Sequence, residues 1–478
     1  MSLVVKKNLS FSTCDLDRIK NTLSKQPWSI ILGGQAPVSQ HNRYQIICAE
    51  PIVKIQTFGN TSQVETLDSC FTTHQDPLEL VKIWRKKCLA QPFTPPYCLL
   101  SPLEELDELP FTGGAMGCFS YDLGRRFEQL PEQAMADIPL PDMAVGIYDW
   151  ALILDHQLEQ VHLVCHQDSE QQAEDYANQR LTWLTKLMHT AQAPSRFKLK
   201  CDWQSNMSEV QYRTKFDQVQ AYLHSGDCYQ VNLAQRFQAH YQGDEYQAFA
   251  HLVSANRAPF SCFMRLEQGV IMSISPERFL KLEHNQVETK PIKGTRPRCP
   301  DPTADRAMQQ ALATAEKDRA ENLMIVDLLR NDIGRVCLPG SVKVPQLFAV
   351  ESYPAVHHLV STITGTLAPP YEAEDLLRVC FPGGSITGAP KIRAMEVIEE
   401  LEPHRRGFYC GSLGYISANG NMDTNIAIRT LVCHQQKIYC WAGGGLVADS
   451  DASAEYQETF DKVAKILPIL NQVELTQD

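Results

Sequence analysis

Strand runs dominate the second half of this chain. Two long ones, 260–274 and 278–293, follow each other directly and lead into "ETKPIKGTRPR" (288–298). "HLVSTITGTL", "GFYCGSLGYIS", "MDTNIAIRTLVC" and "KIYCWAGGGLV" come later, with hairpin signals such as "ANGN" between them. The first part mixes the strand runs "YQIICAEPIVKIQTFG" (44–59) and "YDWALILDHQLEQVHLVC" (148–165) with helices near 78–90 and 168–190. Strand runs outnumber βαβ alternations, which predicts an α+β fold of antiparallel sheets with peripheral helices. "TAQAPSRFK" (190–198), polar and following a helix, reads as a connector, so the boundary falls near residue 195.

With 478 residues and 44% hydrophobic content the chain can bury a substantial core. Its 44 basic and 56 acidic residues give a net charge of −12, which argues against a nucleic-acid partner because phosphate backbones require a basic patch. The 16 cysteines are scattered without C-x-x-C pairs or zinc spacing, and read as reduced core residues of a cytoplasmic protein. "MSLVVKKNLSF" lacks the apolar run of a signal peptide, and no stretch of about 18 apolar residues suggests a membrane span. P-loop, G-x-G-x-x-G, H-E-x-x-H and G-x-S-x-G patterns are absent.

Several segments place polar groups where a core is expected. In "AEKDRAENLMIVDLLRND" (315–332), Asp318 and Glu321 share a helix face with Ile325, Leu328 and Leu329. In "SAEYQETFDKVAKIL" (453–467), Glu455, Glu458 and Lys462 lie within about 60° of arc and align with Ile466. Acids at helix ends are usually solvated and contribute little. Two helices with the same pattern instead suggest paired or metal-binding carboxylates, and Mg²⁺ typically takes one or two, plus waters and substrate oxygens.

A helix announced by Ser208 and Gln211 at capping-box spacing ends near Gly226. The following strand, 228–237, sets Tyr229, Val231 and Leu233 on one face and Gln230 and Asn232 on the other. Lys290 and Lys293, three residues apart on one strand, point to opposite sides, one toward solvent and one toward the interior. "FPGGSITGAPKIRAMEVIEEL" (381–401) runs a Gly/Ser/Thr loop into a helix with Pro390 in its first turn, where free N–H groups favour an anion. Arg429 shares strand parity with Ala427 and Leu431, and an inward arginine implies an anionic partner. His358, at the start of "HLVSTITG", has the context of a satisfied core histidine.

Together these segments resemble the chorismate-utilising enzymes, which include anthranilate synthase component I and the aminodeoxychorismate, isochorismate and salicylate synthases. The resemblance covers most of 205–470 through "GDCYQVNLAQR", "SISPERFL", "PIKGTRPR", "DRAENLMIVDLLRNDIG", "FPGGSITGAPKIRAMEVI", "AIRTL" and "GGGLVADSDASAEYQETFDK". It implies an anthranilate synthase component I-like fold, its antiparallel sheets packed as a sandwich, with an amino-terminal region 1–195 and a chorismate-binding catalytic region 196–478. Within the family the central residue of P-I-x-G-T is alanine in anthranilate synthases and lysine in the branch that makes 4-amino-4-deoxychorismate, the precursor of p-aminobenzoate and folate; here it is Lys293.

The resemblance further implies Mg²⁺ held by Glu321 and Glu458, with Asp318 and Glu455 around it. Arg429, Tyr409 and the Gly443, Gly444 and Gly445 backbone would hold a substrate carboxylate, while Thr295, His358, Ser385 and Lys462 line the ring. Gln230 stands where water-adding members carry a lysine base, against an isochorismate synthase. Glu277, in "SPERF", resembles the family's general acid.

Such an acid donates only if protonated, and Lys293 attacks only if neutral. At an ordinary pKa near 10.4 about one lysine in a thousand is neutral at pH 7.4. Burial favours both neutral forms, and the two groups are expected to titrate as a coupled pair. No segment resembles a Cys-His-Glu amidotransferase domain, so ammonia is expected from a separate glutaminase subunit.

Overall fold

The computed structural model describes residues 3–34, 42–89, 108–167, 169–190, 195–353 and 356–472. Their strands form two sheets, of 13 and 12 strands. The first runs Leu3–Leu9, Gln160–Gln167, Trp150–Asp155, Tyr44–Cys48, Ile30–Leu32, Phe260–Arg265, Val270–Ser275, Thr430–His434, Lys437–Leu446, Gln230–Gln242 and Lys198–Leu199, with Gln204–Ser205 and Gly388–Ala389 also paired to Gln230–Gln242. The second runs Ile292–Pro297, Val356–Thr366, Gln286–Thr289, Arg278–Glu283, Met422–Asn425, Ser412–Ser417, Gly114–Phe119, Met143–Tyr148, Val53–Phe58, Thr61–Thr66 and Cys70–Thr73, with Lys343–Ser352 paired to Val356–Thr366. Neighbouring strands are antiparallel, as the hairpin signals predict. Strands from both sides of residue 195 share each sheet, so both regions build the same cores. Residues 191–194 of the connector lie outside the described residues.

Alternation across the pleat explains the layering. Ile46 joins the core between the sheets, with Ile153, Met264, Val145, Ile147 and Leu413, whereas Ile47 faces a second core with Leu152, Leu163 and Phe263. Helices Thr13–Leu23, Glu170–Thr190 and Glu245–Asn256 cover that second core. A sheet enclosed on both faces needs continuously apolar strands, and Trp150–Asp155 is buried along its whole length. A third cluster packs helices Glu209–Ser225 and Lys391–Leu401 against Val231, Leu233 and Leu446. Ser208 and Gln211 form the expected capping box, and Gly226 closes that helix at φ 83°. No helix among the described residues is long and apolar enough to cross a membrane.

Several local readings differ from the structure. The long runs 260–274 and 278–293 are each a hairpin, Phe260–Arg265 with Val270–Ser275 and Arg278–Glu283 with Gln286–Thr289. The run 44–59 is two strands in different sheets, broken where Glu50 takes φ 52°. The run "MDTNIAIRTLVC" is likewise two, Met422–Asn425 in the second sheet and Thr430–His434 in the first, and Arg429 at φ 50° makes the break. A left-handed residue ends a strand, and nothing in an arginine's identity announces one. The last helix stops at Val463, and a further one spans Leu467–Gln472. Tyr229 precedes its strand and is 69% exposed, while Gln230, on the face assigned to polar groups, is buried.

The buried pair Glu402–Arg406 joins the third cluster to the loop before Lys391–Leu401. Their side chains are 4% and 1% exposed and meet at 2.6 Å. Arg406 also donates to the Ile386 and Asn232 carbonyls, and Glu402 accepts from the Ala234 N–H. Removing one partner strands the other charge in the interior. Arg406→Met should therefore cost ~3–5 kcal/mol and lower the melting temperature, and adding Glu402→Met should recover much of the loss; calorimetry of both variants checks this.

Candidate active site

Lys293 lies within the strand Ile292–Pro297, and a register shift separates it from Thr295. Gly294 sits at the irregularity with φ 76°, and a Cβ there would come within 2.8 Å of Asp318 Cγ. The glycine thus lets the helix Glu316–Gly334 press its first turns against the lysine strand. Lys290 is paired with Glu351 at 2.6 Å, whereas the Lys293 amine donates to the Ser385 carbonyl at 3.1 Å. Burial holds the Lys293 pKa below its ordinary value, against the attraction of Glu321 and Glu277.

Glu277 occupies the crossing between Val270–Ser275 in the first sheet and Arg278–Glu283 in the second. It is 6% exposed, and burial lifts its pKa to about 7. Ser385, in the turn Gly384–Ile386, donates its hydroxyl to Glu277 Oε1 at 2.9 Å. Arg429 occupies the opposite crossing. The two crossings are stitched together, since Ile426 N–H donates to the Glu277 carbonyl and Ile274 N–H to the Arg429 carbonyl, both at 3.0 Å. Burial lowers the Arg429 pKa, and no ion pair to it occurs among the described residues. His358 faces Thr295 across the strand pair, with Thr295 Oγ1 2.9 Å from its Nδ1. Burial, then the Arg429 charge, holds His358 at about 4, so its ring is neutral at pH 7.

The acids arrive on two helices. Glu321 and Glu455 are both pushed above their ordinary range by burial, and neighbouring acids add to the effect. Glu455 accepts from Ser450 Oγ at 2.7 Å, Glu458 pairs with Lys462 at 2.7 Å, and Asp318 pairs with Arg296 at 3.0 Å. A Cβ on Gly444 would lie 3.0 Å from Glu455 Oε2 and 3.4 Å from Glu458 Oε1, so the glycine strand admits the carboxylates. Lys462 donates to the Gly443 carbonyl at 2.7 Å. Tyr409 is buried and parallel to Trp441 at 6.3 Å, beside the Arg406 guanidinium.

Glu321 and Glu458 both act on the Lys293 amine, so the acid helices, the glycine strand and the lysine converge on one place. Among the described residues no three His, Cys, Asp or Glu side chains close into a metal cage. The donors are carboxylate oxygens, which suit a hard ion that keeps waters and substrate oxygens in its shell, as Mg²⁺ does.

Asn232, which sequence reasoning did not place in the site, lies beside it, with Nδ2 3.5 Å from the Ser385 carbonyl. It lies opposite Gly445 and shares strand parity with Gln230, the one signal that pointed to it. A cavity of about 380 Å³ elsewhere, lined by Gly33, Tyr44, Phe260, Arg278 and Asp423, contains none of the catalytic candidates.

The profile of the family described as chorismate binding enzyme matches residues 39–468. The chain is 56% identical over 445 residues to aminodeoxychorismate synthase component 1 of Klebsiella aerogenes, covering 93% of this chain and 94% of that protein. It is 56% identical over 450 residues to aminodeoxychorismate synthase component 1 of Escherichia coli strain K12, covering 94% and 95%. The crystal structure of anthranilate synthase component I from Streptococcus pneumoniae superposes with a TM-score of 0.75 at 30% identity, covering 91% of this chain and 95% of that one.

A raised carboxyl pKa is also a statement about stability. The folded protein holds the Glu277 proton more tightly than the unfolded chain. That contribution is full below the ordinary value of 4.5 and is lost as pH rises through about 7. Glu277→Gln stays neutral, so its melting temperature relative to wild type should climb between pH 5 and pH 8.5, as calorimetry across that range would show.

Proposed function

The chain belongs to the family of chorismate-binding enzymes, and from that premise we propose that it is an aminodeoxychorismate synthase component, replacing the C4 hydroxyl of chorismate by an amino group to give 4-amino-4-deoxychorismate for p-aminobenzoate and folate synthesis. The observation that carries the reading is the Glu277–Ser385–Lys293 chain of contacts. It sets a raised-pKa acid and a lowered-pKa amine on one turn, beside the acid-bearing helices. The high identity to relatives named for this reaction supports the same substrate and product.

In this scheme the neutral Lys293 amine adds to C2 of the ring. The diene electrons shift, the C4–O bond breaks, and protonated Glu277 gives its proton to the departing hydroxyl, which leaves as water. Ammonia then bonds to C4 and the electrons return. The C2–N bond breaks onto nitrogen, which regenerates neutral Lys293. The new C4 nitrogen gives its extra proton to the Glu277 carboxylate, so chorismate and ammonia become product and water. Lys293 is suited to this role because its strand and the Ser385 carbonyl fix it beside the acid.

Glu321 and Glu458, with Asp318 and Glu455 around them, would hold Mg²⁺. The ion would bind the ring carboxylate and stabilise charge developing across the diene. Arg429, lacking an internal anion, and the Gly443–Gly445 backbone suit the second carboxylate, and Tyr409 closes that end. Thr295, neutral His358, Ser385 and Lys462 border the ring. Ammonia would come from a separate glutaminase subunit, in keeping with relatives named as component 1.

Incubation of the full chain with chorismate, Mg²⁺ and ammonium chloride should give 4-amino-4-deoxychorismate without a glutaminase; fluorescent anthranilate, or no chorismate consumption at any pH, would overturn the reading. Intact-protein mass should show a substrate adduct that is absent in Lys293→Ala. The rate should follow a bell in pH, falling on the acid side as the amine protonates and on the alkaline side as Glu277 ionises, with apparent values that belong to the pair.

A further inference from the structure

We propose that Ser352 is a second nucleophile, with His357 as its base and Asp305 behind the base, and that it takes acyl groups from small activated esters at a place apart from the cleft. It has no part in the amination described above.

The three side chains stand in line. Ser352 Oγ lies 2.8 Å from His357 Nδ1, and His357 Nε2 lies 3.0 Å from Asp305 Oδ1. Strand pairing sets the first contact, because Ser352 ends the strand Lys343–Ser352 directly opposite His357 of Val356–Thr366. The Tyr353 N–H donates to the Val356 carbonyl at 2.8 Å. Bonded and non-bonded pairs alternate along an antiparallel ladder, so Ser352 and His357 form a non-bonded pair, the kind whose side chains stand closest. The helix Pro302–Ala313 supplies the rest. Asp305 and Gln309 sit one turn apart on it, and Gln309 Nε2 donates to Ser352 Oγ at 3.0 Å. His358 meets Thr295 on the cleft side of the strand, and its neighbour His357 points to the other face, so this serine lies behind the cleft.

The hydrogen bonds fix where each proton sits. Arg298 Nε donates to both Asp305 oxygens at 3.0 Å and the Cys299 N–H to Oδ1 at 2.9 Å, which holds this carboxyl well below its usual range and keeps it an acceptor only. His357 therefore donates from Nε2, which leaves the Nδ1 lone pair to accept. Gln309 already donates to Ser352 Oγ, so the serine's own proton points at Nδ1. An alcohol aimed at an oriented base is the starting arrangement for nucleophilic attack. His357 is fully buried and held from both sides, whereas Ser352 is exposed and open to a reagent. In the reaction Oγ bonds to the ester carbonyl carbon and its proton passes to Nδ1. The departing alcohol oxygen takes that proton as its bond to carbon breaks. Water then bonds to the acyl carbon and gives a proton to Nδ1, which returns it to Oγ as the carboxylic acid leaves. Ester and water become acid and alcohol, and Ser352 is restored.

Labelling of the full chain with an alkyl fluorophosphonate at pH 8 tests this. The reagent forms an Oγ–phosphorus bond as its fluoride leaves, and the serine proton departs through Nδ1. Peptide mapping should place a single phosphonyl group on Ser352 in the folded wild type and none in chain unfolded beforehand in urea. Ser352→Ala should take no label while melting as wild type does. Asp305→Asn should slow labelling about a hundredfold, the lower end of what an oriented general base contributes. p-Nitrophenyl acetate should release nitrophenolate in a burst that Ser352→Ala lacks. If Asp305→Asn does not fold, the comparison of folded with unfolded wild type decides in its place. No label on the folded wild type, equal labelling of folded and unfolded chain, an unchanged rate in folded Asp305→Asn, or label that persists in Ser352→Ala overturns the proposal, and each leaves the amination reading untouched.

Discussion

Ser385 is bonded to both of the groups proposed to react, through its hydroxyl to Glu277 and through its carbonyl to Lys293. The separation of acid and amine is therefore set by one short turn, and the turn must be rigid for the pair to work. Its neighbours supply that rigidity. Arg406 donates to the Ile386 carbonyl, Asn232 N–H to the Thr387 carbonyl, and Thr387 Oγ1 to the Gly383 carbonyl. Lys391 ties the far end to Asp332 and to the Cys380 carbonyl. Gly384 lies directly against Leu328 of the acid-bearing helix, so helix and turn cannot shift independently. A misplacement of about 1 Å in such an arrangement costs on the order of a hundredfold in rate.

The electrostatics follow from the same enclosure. Withdrawal from water favours the neutral form of each group, which raises Glu277 and lowers Lys293 and His358. These opposite shifts have one cause, and both suit the proposed step, which needs a proton donor and an uncharged nucleophile together. The cost falls on stability, because burial disfavours the charged forms of carboxylates such as Glu321 and Glu455. A site of this type is stabilised by what binds it.

Much of this was legible in the chain. The antiparallel sheets, the Ser208 cap, the acid stripes on two helices and the inward lysine all follow from periodicity and turn chemistry, because each is a local property. Resemblance to a known family added the roles of Glu277, Arg429 and the glycine strand, which spacing alone does not give. What stayed hidden was non-local. The runs 44–59 and 422–433 read as single strands, because the left-handed residues that pass them from sheet to sheet, Glu50 and Arg429, carry no compositional mark. Both Glu277 and Arg429 owe their placement to such crossings, where the backbone leaves the ladder and its side chains turn into the gap. Asn232 was seen as polar and on the right face, but its missing partners emerge only when the facing strand is known.

The interleaved sheets carry a consequence for how the chain reaches this state. Ile30–Leu32 hydrogen-bonds to Phe260–Arg265, and Gly114–Phe119 to Ser412–Ser417, so strands made early in translation wait for partners some 230 to 300 positions downstream. Closure over such spans is slow, and the unpaired apolar edges are open to wrong partners meanwhile. A ribosome-bound fragment ending before the glycine strand would lack the strand that joins Thr430–His434 to Gln230–Gln242 in the first sheet. The proposed site is thus complete only once the glycine strand and the helix Ala452–Val463 after it have been made.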